Sequence, residues 1–99
     1  MITTISKHSG VGVKSVSKVI DHLLFNYYTL NKGYTRFDPS YDITQSLQRL
    51  LEGKDIRPED IIMLHHERLE YELMNRYGHD YNTAHKLANK KYNYERMVT

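Results

Sequence analysis

Apolar residues recur at three- and four-residue steps from Val13 to about Tyr28, placing Val16, Ile20, Leu23, Leu24 and Tyr27 on one side of a helix. The period breaks at "LNKGYTRFDPSYD". Asn31-Lys32-Gly33 and Asp38-Pro39 are turn signals there, and the alternation between them predicts a short extended piece or hairpin around residues 28–37. A second helix is expected over 43–51, with Asp42 as N-cap, Gln45 completing a capping box, Ile43, Leu47, Leu50 and Leu51 inward, and Gly53 as its stop. Pro58 suits the first position of a third helix, Glu59 and Asp60 complement its positive end, and Gly78 closes it. Asp80 or Asn82 caps a fourth helix reaching to about Tyr92, and the short link makes the last two an antiparallel hairpin. The expected fold is mainly α, a compact four-helix domain with that hairpin at its C-terminal end. Residues 1–12 are expected to be flexible.

On a wheel of about 100° per residue, Ile62, His66, Leu69, Leu73 and Tyr77 share one arc of the third helix, with Glu70 on its flank beside Met63. His66 and Glu70 thus stand one turn apart on the inward face. Tyr81, His85, Ala88 and Tyr92 form the matching stripe of the fourth helix, with His85 at its centre. His65 and Glu67 lie about 100° to either side of His66, so these neighbours are not all expected inside. A lone histidine on an apolar face usually packs as a flat polar aromatic. A glutamate one turn away shifts the balance toward a site, because burying a carboxylate costs several kcal/mol unless it is paired. His22, off the stripe of the first helix although beside Asp21, reads as structural, and His8 and His79 fall in loops. Lys86, Lys90 and Lys91 read most simply as a solvated face, with phosphate binding as the minority reading.

A chain of 99 residues makes one domain with a single core. Its longest apolar runs, in "DHLLFN" and "DIIMLH", are far too short to span a membrane, and "MITTISKHSGVGVKS" lacks the apolar stretch of a secretory signal. The absence of cysteine excludes disulfides and thiolate metal sites. The net charge of +2 hides a layout: residues 1–37 carry five Lys/Arg and one Asp, residues 38–80 ten acidic groups and five basic, residues 81–99 four basic and one acidic. A nucleic-acid partner would meet the basic ends, where tyrosines offer stacking faces.

Two histidines with a glutamate match a two-His, one-carboxylate metal site, and "HHERLE" resembles the helical H-E-x-x-H of zinc peptidases with a glutamate in place of the second histidine. The metal-free alternative uses His66, Glu67, Glu70 and His85 as general acids and bases, with Arg49 or a terminal lysine stabilising a phosphorane-like transition state. The metal-free scheme is the expectation, with no metal and no other cofactor, because neither a cysteine nor a third inward histidine is available to complete a tight site. No Ser-His-Asp order, Walker loop or G-x-G-x-x-G turn is present.

The run "DIIMLHHERLEYELMNRYGHDYNTAHKLANKKYNY", preceded by "VIDHLLF", "RFDPSYDI" and "QRLLEGKDIRPED", resembles small C-terminal toxin domains of bacterial polymorphic toxins and of phage head-morphogenesis-like proteins. Those domains share an L-x-H-E-x-x-E segment, then A-H, then Y-N and an aromatic. Leu64, His66, Glu67 and Glu70 match the first motif, Ala84 and His85 the second, and Tyr92, Asn93 and Tyr94 the third. The resemblance implies an effector module that acts in a target-cell cytoplasm and is held in check by an immunity protein. Such domains end longer delivery proteins, whereas this chain opens on its own methionine, so a free-standing cytoplasmic protein is the other expectation. Together these readings lead to a toxin-like domain hydrolysing nucleic acid, RNA before DNA, through His66, Glu67, Glu70 and His85, with Arg49 as charge stabiliser. The alternatives are a non-enzymatic binding module with a structural His/Glu network, and a metal-dependent hydrolase.

Overall fold

Helix formation in the computed structural model, which describes residues 1–98, begins at the second residue. Helix α1 (Ile2–Ser9) ends on Gly10, whose φ of 76° permits a left-handed cap. Its Ile5 is 0 % exposed and packs with Val16, Val19, Ile20, Leu23, Leu50, Met63, Leu64 and Tyr94. Residues 2–9 of the stretch read as flexible thus form a helix, where one deeply seated isoleucine anchors a segment too polar to show a period. His8 adds a tie, its Nδ1–H donating to the Leu50 carbonyl at 2.6 Å. The radius of gyration, 12.8 Å, matches the roughly 13 Å of a folded chain this long.

Helix α2 (Val13–Ile20) does not run on to residue 28. It widens into one π-helical turn, Asp21–Phe25, closed by the Asn26 N–H on the Asp21 carbonyl at 2.7 Å. The chain then forms a hairpin of β1 (Tyr27–Leu30) and β2 (Gly33–Arg36), in register Tyr27 with Arg36 and Leu30 with Gly33. Helix α3 (Tyr41–Glu52) is capped by Ser40, whose Oγ accepts the Ile43 N–H at 3.3 Å, and not by Asp42 with Gln45. Asp42 lies inside the first turn, where its charge suits the positive end. Gly53, at φ 68°, stops the helix as its position implies.

Helix α4 (Pro58–Asn75) starts on its proline, with the Asp60 carboxylate folding back to the Arg57 N–H at 3.0 Å. Helix α5 (Tyr81–Lys91) is capped by Asp80 on the Thr83 N–H at 2.8 Å, and α6 (Tyr94–Val98) follows, burying Tyr94. The described residues thus hold six helices and a two-stranded sheet, mainly α as expected but with two more helices than the hydrophobic period marks. None of these helices is long and apolar enough to cross a membrane. Helix α4 is the axis, packed by α2, the π turn, α3, α5 and α6. Being covered on so many sides, it buries Asp60, Met63, Leu64, His66, Glu67 and Glu70, an arc wider than a single stripe. Tyr77, expected on the inward stripe, lies beyond the helix end and is exposed.

Ile5→Ala is expected to lower the free energy of unfolding by about 2–5 kcal/mol, the range for emptying a closed core position. Urea denaturation of the two proteins measures it, and a change near zero would mean that α1 is not part of the core.

Candidate functional site

Glu70 lies in the middle of α4 at 2 % exposure, and its carboxylate is met by three imidazoles from three segments. His22 of the π turn reaches Oε1 through Nε2 at 2.9 Å. His66, one turn earlier on α4, reaches Oε2 through Nε2 at 3.2 Å, and His85 of α5 reaches the same oxygen through Nδ1 at 3.0 Å. The His66 and His85 rings stand edge to face with centroids 5.2 Å apart. The structure therefore brings together His66, Glu70 and His85 across the α4–α5 pair, as the two stripes imply. Burial works against the charge of Glu70, but the bonds from His22, His66 and His85 outweigh it and hold its carboxyl well below the usual range.

The outer nitrogens of these rings decide where the hydrogens sit. The Tyr28 hydroxyl oxygen accepts from the amides of Asn26 at 3.1 Å and Asn75 at 2.8 Å. The second hydrogen of the Asn75 amide goes to the Tyr71 carbonyl at 2.8 Å, which fixes that amide's orientation. With its acceptor capacity used, Tyr28 donates its own hydrogen to His22 Nδ1 at 2.7 Å. His22 Nε2 therefore carries a hydrogen and gives it to Glu70. His66 is opposite in sense: its Nδ1–H donates to the Tyr92 carbonyl at 2.9 Å, so its Nε2 faces Glu70 either as a lone pair or as the second N–H of an imidazolium. Burial disfavours the imidazolium, yet Glu70, Glu67 and the Tyr92 carbonyl together raise the affinity of His66 for its proton. His85 is raised chiefly by its bond to Glu70. On its far side, Nε2 meets the Asn89 amide at 3.3 Å and the Glu95 carboxylate at 3.8 Å, and Asn89 Oδ1 is buried without a partner.

Glu67 is the surprise on α4. Placed about 100° from His66, it was not required to be inside, yet it is 5 % exposed because the π turn covers that flank. Its oxygens lie 3.5 Å from His22 Nε2 and 4.0 Å from His66 Nε2, longer than the bonds that hold Glu70. Desolvation and the neighbouring Glu70 charge push its carboxyl above the ordinary range. His66, Glu67, Tyr81 and His85 line a cleft of about 380 Å³ whose other walls are Ser40, Asp42, Ile43, Asn89, Tyr94, Glu95 and Val98. Tyr81 stacks on His85 with ring centroids 5.3 Å apart, and burial pushes its hydroxyl up to about 12.

His22 is the residue the helical wheel misplaces. It is 0 % exposed at the centre of the cluster, because the π turn adds a residue to the repeat and rotates everything after Ile20 off the wheel. The signal available beforehand was a polar pair, Asp21-His22, inside the apolar run "VIDHLLF". Arg49 is placed away from the cluster. It forms a two-pronged bond with Asp60, Nε to Oδ2 at 2.8 Å and Nη2 to Oδ1 at 2.7 Å, while Ser46 bridges Asp60 at 2.7 Å and the Tyr94 hydroxyl at 2.9 Å. The guanidinium, read from sequence as a charge stabiliser, thus neutralises a buried carboxylate outside the His/Glu cluster. Lys86, Lys90 and Lys91 are exposed on α5, and Lys91 covers the Tyr92 ring.

No protein-family model, curated protein or solved structure matches this chain. Its chemistry is read from its own groups. Glu70 is met by three ring nitrogens and His66 is enclosed, so the groups of the cluster left to act in the cleft are Glu67, whose contacts are longer, and the partly exposed His85.

Arg49→Ala is expected to destabilise the fold by about 3–5 kcal/mol at neutral pH, since it leaves the Asp60 charge buried and unpaired. Burial opposes the charge of Asp60, but Arg49, the Arg57 N–H and Ser46 together hold its carboxyl below the ordinary range. A lowered folded pKa adds stability above the unfolded value near 4, and that stability is lost as pH falls through the folded value. The gap between wild type and variant should therefore narrow below about pH 4, measured by denaturation across pH.

Proposed function

We propose that this protein is a toxin-like hydrolase of nucleic acid, RNA before DNA, in which Glu67 takes the proton of the attacking hydroxyl or water and returns it to the leaving oxygen. One observation carries the reading: a buried carboxyl whose oxygens are held less tightly than those of its saturated neighbour sits at the floor of a cleft. Two carboxylates set apart by their surroundings in this way suit one proton-transferring role and one orienting role. Glu70 is the orienting group, fixing the rings of His22, His66 and His85. His66 and His85, which line the cleft, supply positive character beside the point where negative charge develops on the phosphorus oxygens. Tyr81, on the cleft wall beside His85, offers a hydroxyl and a stacking face to the substrate. The basic surface of α5, with Lys86, Lys90 and Lys91, lies on the same helix as His85 and suits the flanking phosphates. The resemblance to toxin domains adds the biological setting, a target-cell cytoplasm and an immunity protein that blocks the cleft.

A second reading has its own support, since the saturation of Glu70 is also what a purely structural network requires. Glu67→Gln separates the two. The substitution keeps the shape of a residue already short of tight bonds, so folding is expected to persist while toxicity in expressing cells disappears and RNA cleavage falls by about 100-fold or more. Equal cleavage and equal toxicity of a folded Glu67→Gln protein would sink the hydrolase. The folded, inactive variant should still bind RNA at low salt and lose it as salt rises, in proportion to the phosphates neutralised. Affinity that stays flat with salt would argue for a protein partner instead.

A further inference from the structure

We propose that His66 Nε2, Glu70 Oε2 and His85 Nδ1 hold one divalent transition-metal ion, with its open coordination position facing the cleft beside Glu67. The inference rests on the hydrolase reading for its use but not for its geometry. One donor atom from each of the three residues lies within 4.8 Å of the others, and the two separations to Glu70 Oε2 are 3.2 and 3.0 Å. Ligands about 2.1 Å from a tetrahedral ion stand about 3.4 Å from one another, so small side-chain adjustments admit the ion.

The far side of each donor group is already held as metal ligands require. The Tyr92 carbonyl takes the His66 Nδ1–H at 2.9 Å, which aims the opposite nitrogen inward. His22 donates to Glu70 Oε1 at 2.9 Å and leaves Oε2 to the ion. When His85 binds through Nδ1, its Nε2 must carry the hydrogen. The exposed Glu95 carboxylate, which also accepts from the Asn89 amide at 3.2 Å, lies 3.8 Å from that nitrogen as its acceptor.

A competing set, His22 with Glu67 and Glu70, also brings donor atoms within 4.8 Å. It fails on hydrogen count. Tyr28 donates to His22 Nδ1, so His22 Nε2 bears a hydrogen and has no lone pair for a metal. His22 is thus a positioning residue that holds Glu70, and Glu67 is left uncoordinated next to the open position. His66, Glu67 and Glu70 then play on one helix the parts of ligand, base and ligand in a helical H-E-x-x-E arrangement, with His85 completing the set from α5.

The cleft supplies an independent reason for a cation. Its lining includes Asp42, Glu67 and Glu95 and no lysine or arginine, so a phosphate entering it would otherwise meet carboxylates. The expectation of a metal-free site rested on the lack of a third inward histidine. His22 is that histidine, and its contribution is to orient Glu70 so that two histidines and one carboxylate suffice.

The test uses the whole protein freed of metal by chelation and dialysis, titrated with zinc and separately with manganese by calorimetry, alongside thermal melting. Expected are one ion per chain for at least one of the metals and a rise in melting temperature reversed by EDTA. His85→Ala, whose ring is partly exposed and whose loss the fold should tolerate, is expected to weaken binding by at least about 100-fold, and Glu67→Gln to bind as wild type does. His66→Ala removes a buried ring and puts folding at risk, so His85→Ala is the deciding variant. Absence of binding by either metal, or binding that His85→Ala leaves intact, overturns the metal site. Cleavage of RNA that continues in EDTA also overturns it while leaving the hydrolase standing. One ion bound through His85 by a protein that cleaves no RNA keeps the metal site and removes the nuclease.

Discussion

A carboxylate at the centre of a helix that is packed from several sides has no water to turn to, and the surroundings of Glu70 follow from that constraint. Its two oxygens need side-chain partners, because the backbone N–H groups of α4 are spent on the helix itself. One partner comes from the preceding turn, one from the π turn and one from α5, so a single buried charge ties three segments together. Each ring then needs its second nitrogen satisfied, which extends the constraint outward. The hairpin brings Tyr28 to His22, and the end of α5 brings the Tyr92 carbonyl to His66. Features that look incidental along the chain, a widened helical turn, a two-stranded ribbon, and a helix that breaks after Lys91, are those that deliver these partners.

Regular periodicity was enough to find the parts of the site carried by regular helices. His66 and Glu70 share a face of α4 and His85 centres the stripe of α5, and the rings meet where the stripes meet. What the period hides is what departs from it. His22 is invisible on a wheel of fixed pitch because the helix changes pitch at Asp21, and Glu67 is hidden by the assumption that a helix has one buried face. The same logic covers the fold. Asp80, Gly53 and Pro58 mark ends of helices by local chemistry and could be read directly. Ile5 secures α1 through contacts with residues far along the chain, and α6 is too short to show a period of its own. Ser40 caps α3 where Asp42 was the expected cap, a shift of two residues between side chains of similar capping strength, which only the packing of α3 decides.

Of the three carboxylates buried on α4, Asp60 and Glu70 are satisfied in different ways. Asp60 receives a guanidinium, a serine hydroxyl and a backbone N–H, donors that keep their hydrogens at any ordinary pH. Such an arrangement is closed around Asp60: nothing in it can be exchanged without leaving a bare charge, and Arg49, read from sequence as a charge stabiliser, spends Nε and Nη2 on that carboxylate. Glu70 receives imidazoles, whose hydrogens can leave or move to the other nitrogen. For His66 and His85 the lone pair so exposed faces the same carboxylate oxygen.

That difference separates a strut from a site. An imidazole cluster around a carboxylate is stable with protons in it, and the same atoms accept a metal ion in their place without moving the helices that carry them. The His22 ring is barred from that exchange by Tyr28, so exchange is confined to the side of Glu70 that faces α5. The same side opens to the cleft where Glu67 waits, held less tightly than its neighbour. Burial that looks like a cost for α4 is thus the condition for its chemistry: only a carboxylate denied water keeps its partners in fixed order, and only a fixed order leaves one oxygen, two ring nitrogens and one spare carboxyl pointing at the same small volume.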